Sequence, residues 1–177
     1  MSLRATTLSA AVAMGLVASS PAAQAGETCS GTLSGSPLRP ITNPMMVSLE
    51  RTIDSTANPE LTKQFLLGIQ GAGVSVVPKG QGTTTLDLSF LLQGKQRGTY
   101  RDLSWMRGLP ASENVKSSLQ GSHLDVTIYA RDATSRSLVW TGAIACTIQT
   151  DDMAALAEGL GTAVGRTLGQ TIPKRAF

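Results

Sequence analysis

From residue 45 onward the apolar positions follow two periods, and the changes of period divide the chain into elements. Met45, Met46, Val47 and Leu49 form a short extended candidate. Asn58-Pro59-Glu60 then reads as a helix start, with Asn58 as the N-cap and proline in the first turn. Leu61, Phe65, Leu66 and Ile69 fall within ~140° of one face at ~100° per residue, and glycine at 71 or 73 stops the helix. There the period drops to two. Residues 74–77 make a short strand, and Lys79-Gly80-Gln81-Gly82 turns the chain into a longer one over 83–93. In that strand Leu86, Leu88, Phe90 and Leu92 oppose Asp87, Ser89 and Gln93. The same alternation sets Leu124, Val126, Ile128 and Ala130 against Asp125, Thr127, Tyr129 and Arg131. After a turn over 132–137, the strand 138–148 places Leu138, Trp140, Ile144, Cys146 and Ile148 on one side. Thr150-Asp151-Asp152 caps a last helix, in which Met153, Leu156, Leu160, Val164 and Leu168 keep helical spacing.

Strands with one greasy side need a helical layer to bury it, so the pattern predicts an α+β domain: a four- to five-stranded, mostly antiparallel sheet with two helices packed on one face. Beside the apolar face of the last helix, Ala157, Gly161, Gly165 and Gly169 form a small-residue stripe. Each glycine there costs up to ~1 kcal/mol of helix propensity relative to alanine. The stripe is read as close packing on the sheet or the first helix, in preference to a groove for a partner helix. Ahead of the domain, residues 26–44 hold Gly31, Gly35, Pro37, Pro40 and Pro44 among serines and threonines. That composition reads as a flexible tether, leaving residues 45–177 as one domain.

The first 25 residues have the grammar of an export signal. Arg4 supplies a basic start, residues 10–17 an apolar run too short to span a bilayer as a helix, and Ala23-Gln24-Ala25 a small-x-small cleavage pattern. Cleavage after Ala25 delivers a periplasmic, or alternatively secreted, protein with no transmembrane segment. No cysteine follows the apolar run to carry a lipid. In an oxidising compartment Cys29 and Cys146, the two cysteines of the chain, are expected to form a disulfide. Closing so long a loop is worth ~4 to 5 kcal/mol in the chain-entropy picture. A redox-active pair would instead favour a Cys-x-x-Cys spacing or a thiolate at a helix start, and the sequence has neither.

Composition narrows the function classes. At 177 residues the chain has room for one domain, and 15% charged residues is well below the usual ~25%. A formal charge of +3 is too small for a nucleic-acid footprint.

The order strand, turn, strand, helix carries a resemblance. Leu86-Asp87-Leu88, Asp132, Leu138-Val139-Trp140-Thr141-Gly142 and Ile172-Pro173 match, in order and spacing, a family of small Gram-negative envelope proteins, often lipoproteins, classed as a domain of unknown function. The chain resembles that family over most of its length after the signal. It departs from it by lacking the lipid-bearing cysteine, by having Arg136 where a turn glycine is expected, and by having Ile172 rather than phenylalanine before Pro173. The resemblance implies the fold and an envelope location, and it brings no catalytic residue.

Catalytic sets are sparse. His123 is the one histidine, at a strand start, and points to the same side as Asp125. The pair offers two metal ligands where a structural site needs four, so no metal is expected. No catalytic residue is assigned, no phosphate-binding loop or nucleophile elbow occurs, and no cofactor is called for. The adjacent carboxylates Asp151 and Asp152 are accounted for as helix caps.

The richest segment for recognition is residues 94–122, far longer than a hairpin loop. It carries Lys95, Arg97, Arg101, Arg107 and Lys116 against Asp102 and Glu113, and sets Tyr100 and Trp105 among the cations. Lys95, Arg97, Tyr100, Arg101, Trp105 and Arg107 are therefore the candidate partner-binding residues, suited to an envelope protein or an anionic membrane surface. The expected function is a non-enzymatic binding or envelope-assembly module of the periplasm. Two alternatives stand beside it: a small periplasmic hydrolase using His123, and a small-ligand carrier with a pocket between helices and sheet.

Overall fold

The structure, a computed structural model, describes residues 28–41, 45–52, 59–93 and 119–177. Seven strands and two helices follow in chain order: β1 (Cys29–Pro37), β2 (Met46–Thr52), α1 (Pro59–Gly71), β3 (Ser75–Val76), β4 (Thr84–Gln93), β5 (His123–Asp132), β6 (Leu138–Ile148), α2 (Met153–Thr167) and β7 (Ile172–Ala176). They make one sheet in the order β3-β2-β4-β5-β6-β1-β7. β2 runs parallel to both β3 and β4, and the remaining pairs are antiparallel.

The α+β class holds, but the expected four- to five-stranded, mostly antiparallel sheet is corrected to a mixed sheet of seven strands. The two additional strands are β1 and β7, which pair with each other and complete the sheet beyond β6. β1 lies inside the segment read as a tether. Its sequence alternates: Cys29, Gly31, Leu33 and Gly35 fall on one side, and Ser30, Thr32, Ser34 and Ser36 on the other. The alternation is masked because two of the inward positions are glycine. Both glycines are dictated by what lies over them. A Cβ on Gly31 would run into Cys146, and one on Gly35 or Gly142 would enter the indole of Trp140. β7 is hidden for another reason: Pro173, Lys174 and Arg175 are residues a sheet tolerates on an edge, and β7 is an edge.

One face of the sheet holds the core. Leu86, Leu88, Phe90 and Leu92 of β4, Leu124, Val126, Ile128 and Ala130 of β5, and Trp140, Ile144 and Cys146 of β6 are all buried. The register sets Leu124 opposite Cys146, Val126 opposite Ile144 and Ala130 opposite Trp140, so these side chains form continuous rows. α1 supplies Leu61, Phe65 and Ile69 to the same layer, with Phe65 edge-on to Phe90 at 5.5 Å between ring centres. α2 supplies Leu156, Leu160 and Val164, and its first turn is capped by Asp152, whose carboxylate accepts from the amides of Ala154 and Ala155 at 3.0 Å. A gap between helices and sheet, walled by Leu61, Phe90, Leu124, Met153 and Leu160, is about 10 Å³. That is the volume of a single water at most, so a ligand has no room at this place.

The small-residue stripe is spent inside the molecule. A side chain on Gly161 would strike the Phe65 carbonyl, one on Gly165 would approach the Ala72 methyl to 2.8 Å, and one on Gly68 would meet the Glu158 carbonyl. The Thr162 hydroxyl donates across the same seam to the Gly68 carbonyl at 3.2 Å. The two helices therefore touch backbone to backbone. Where α2 ends, Gly169 turns the chain at φ +82, and the Gln170 carbonyl accepts the indole N–H of Trp140 at 2.9 Å. This bond supplies the one partner that a fully buried tryptophan requires.

Cys29 and Cys146 are bonded, with 5.7 Å between their Cα atoms. Cys146 lies opposite Gly31, so the bridge runs diagonally between β6 and β1 on the helix-covered face. Replacing Cys146 with serine is expected to lower the melting temperature by several degrees, and reductant should reproduce the loss in the parent protein; equal melting with and without reductant would count against the bridge. Gly161→Leu should destabilise the fold by about 2 kcal/mol through overpacking at the helix seam. Gly71→Ala, where nothing stands within 4 Å of the added carbon, should be neutral in the same denaturant titration.

Candidate functional site

The strand positions that alternate with the core rows face the opposite way, and no described helix lies over them. Because β4, β5, β6 and β1 are in register, their outward side chains form rows. Asp87, Tyr129, Thr141 and Ser36 make one row, and Ser89, Thr127, Ala143 and Ser34 the next. Two rows further on, Gln93, His123, Thr147 and Ser30 stand together. Most of this face is hydroxyl. It contains a shallow groove of about 450 Å³ lined by Ser34, Ser36, Thr127, Tyr129, Thr141 and Ile172, with the backbone of Gly35 and Gly142 at its floor.

Charge is confined to the flanks of the groove. On the β4 side the buried carboxylate of Asp87 accepts from two arginines: Arg51 donates from Nε at 3.2 Å and from a terminal nitrogen at 3.4 Å, and Arg131 from Nε at 3.2 Å. Asp87 is 4% exposed, whereas Arg51 is 65% exposed. Two guanidiniums on one carboxylate leave a surplus positive charge at the surface. A bulge makes this geometry: the β2–β4 register shifts between Leu49 and Arg51, which returns Arg51 to the outer face opposite Asp87. The displaced Glu50 reaches Lys79 and Arg136, each at 3.5 Å. The hydroxyls of Ser48 and Thr85, cross-strand neighbours, are buried without a hydrogen-bond partner.

The β5–β6 turn rests on Asp132. Its Oδ1 accepts from the Ser135 amide at 2.7 Å, the Ser135 hydroxyl at 2.9 Å and the Thr134 amide at 3.2 Å. The Ser135 amide first, then its hydroxyl, hold this carboxyl below its ordinary value of 3.8. The turn is therefore supported above that ordinary value, and the support is lost as pH falls through the lower folded one. Arg136 sits at φ 59, the left-handed conformation that favours glycine. That conformation accounts for the glycine expected at this place.

At the other end of the groove's face, His123 Nε2 lies 3.4 Å from Asp125 Oδ1, and Gln93 donates to the second oxygen of Asp125 at 3.5 Å. The two side chains meet as their spacing implied. No hydroxyl among the described residues hydrogen-bonds to His123. No group of three or more potential metal ligands occurs among the described residues, and no described helix is long and apolar enough to cross a membrane.

Of the predicted site residues, Cys29 and Cys146 are joined as expected. Lys95, Arg97, Tyr100, Arg101, Trp105 and Arg107 lie outside the described residues, as do residues 1–25 with their export signal. The segment that carries the six follows Gln93 and precedes His123, two residues paired across β4 and β5. The groove itself and the Arg51–Asp87–Arg131 cluster are functional candidates that sequence reasoning missed. The outward Ser/Thr alternation of β1 was the available signal for the groove. For the cluster there was none, because Arg51 faces Asp87 only by virtue of the bulge.

Removing the carboxylate tests the cluster. Asp87→Asn should destabilise the fold by about 2 kcal/mol, since two guanidiniums lose their shared charged acceptor while remaining partly hydrated, and Arg51→Lys should cost less than half of that. Equal denaturation midpoints for parent and Asp87→Asn would show that the carboxylate is dispensable.

No family model matches the chain, and no curated protein matches it. Among solved structures, a PDZ domain protein from Parabacteroides distasonis aligns with a TM-score of 0.50 at 12% identity, covering 88% of this chain and 41% of that one. A PelC dodecamer from Paraburkholderia phytofirmans gives 0.49 at 11% identity, over 80% of this chain and 99% of that one. A protein from Xanthomonas campestris of the family DUF330 gives 0.39 at 13% identity, over 76% and 86%. The family of that protein is a domain of unknown function, and the Leu-Val-Trp-x-Gly motif and lipid attachment are not shown by it. At such identities these matches speak for fold alone, and only the first reaches a score that bears on it.

Proposed function

We propose that the chain is a non-enzymatic binding module of the bacterial periplasm, which holds an envelope protein or an anionic membrane surface through the basic, aromatic segment over 94–122. The observation that carries this reading is the two-sided character of the sheet. One face carries the helices, with a gap of only about 10 Å³ where Leu61, Phe90 and Met153 meet, and the other, among the described residues, presents hydroxyl-bearing side chains and a groove. The segment with five cations and two large amphipathic aromatics follows β4 in the chain. Cations and aromatics so mixed suit a partner that is anionic and partly apolar. The buried disulfide supports an oxidising compartment, and the amino-terminal pattern supports export.

Replacing Arg97, Arg101 and Arg107 together with serine is expected to leave the melting temperature unchanged and to weaken binding to phosphatidylglycerol vesicles, or recovery of envelope partners, by about tenfold or more. A photo-crosslinker at position 105 should capture the same partner in living cells. Unaltered binding in both assays would overturn this role for the segment.

A further inference from the structure

We propose that the groove on the helix-free face binds an uncharged saccharide chain, an inference that rests on reading the protein as a binding module and names a ligand class for its sheet. Five hydroxyl-bearing residues line the groove, Ser34, Ser36, Thr127, Tyr129 and Thr141. Among the described residues none of the five hydroxyls is spent in a hydrogen bond. A hydroxyl turns to donate or to accept as its partner requires, so a row of them matches a ligand that itself alternates donors and acceptors at close spacing. Polyhydroxylated rings do this, and their C–H faces also need apolar walls. The Tyr129 ring and Ile172 supply such walls.

Charge argues in the same direction. Among the described residues no carboxylate, ammonium, guanidinium or imidazole lines the groove. The nearest carboxylate in the same row, Asp87, is engaged by Arg51 and Arg131, and His123 is engaged with Asp125. An anionic ligand would gain more by moving one strand over to the surplus guanidinium. An extended peptide would need free strand edges for its backbone, yet β5, β6 and β1 each have a hydrogen-bonded neighbour on both sides. The volume of about 450 Å³ falls in the range of small-molecule sites and suits two or three sugar rings in a shallow, weakly holding trough.

Amide NMR of the chain, titrated with maltotriose, triacetylchitotriose and trigalacturonic acid in turn, tests this. A neutral trisaccharide should shift the amides of Ser34, Thr127, Tyr129 and Thr141. Thr141→Val, nearly isosteric, and Tyr129→Ala should each weaken that response about tenfold, and the former keeps the test valid if the latter fails to fold. The Arg97, Arg101, Arg107 triple serine variant should retain the saccharide response even where it has lost vesicle binding, which separates failure of this proposal from failure of the functional reading. The proposal is overturned if neither neutral trisaccharide shifts these amides at about 20 mM, a weak-binding limit, or if only the acidic trisaccharide binds, with shifts centred on Arg51 and Arg131.

Discussion

The helical roof of this sheet depends on two helices meeting backbone to backbone. Gly68 on α1 and Gly161 and Gly165 on α2 remove the side chains from the seam, so carbonyls and Cα atoms meet directly. The propensity lost by placing glycine within a helix, up to ~1 kcal/mol each, is offset by dispersion contacts and by the burial of Phe65, Ile69, Leu160 and Val164 beneath the joined pair. With both helices on one side, the other is left to its hydroxyls, and the groove follows from that.

The same economy operates in the sheet. Trp140 lies over Gly142 of its own strand and Gly35 of β1, a large ring filling the space that two glycines leave, and the carbonyl of Gln170 fixes it from above. A tryptophan with glycine two residues on in its own strand, and a second glycine opposite that one, is a local signature of such an arrangement, and it links β6, β1 and the end of α2 in one contact. Gly31 makes the equivalent allowance for the disulfide.

These substitutions explain what could and could not be read from the chain. Elements whose inward positions are Leu, Ile, Val or Phe were legible, to within a residue or two of their ends: α1, β4, β5, β6 and α2 all follow their hydrophobic period. β1 obeys the same period but writes it with Cys, Gly, Leu and Gly, so composition pointed to a tether where the backbone pairs on both edges. β7 carries the proline and cations proper to a sheet margin and reads as a tail. The parallel pairing of β2 with β4 has no local signal at all, since it depends on α1 carrying the chain back across the sheet. For the site, the approach of His123 to Asp125 was visible from their spacing by two. Arg51 meeting Asp87 was not, because one additional residue in β2 decides which side of the sheet Arg51 takes.

The position of β1 has a consequence for the order in which the protein is made. Its hydrogen-bonding neighbours are β6 and β7, the last strands to be synthesised, and its cysteine waits for a partner 117 positions away. Until the carboxyl-terminal third of the polypeptide has emerged, the first strand has nothing to pair with, and contacts of such sequence separation form slowly. Growth of the chain from its amino end therefore presents β1 first and completes it last.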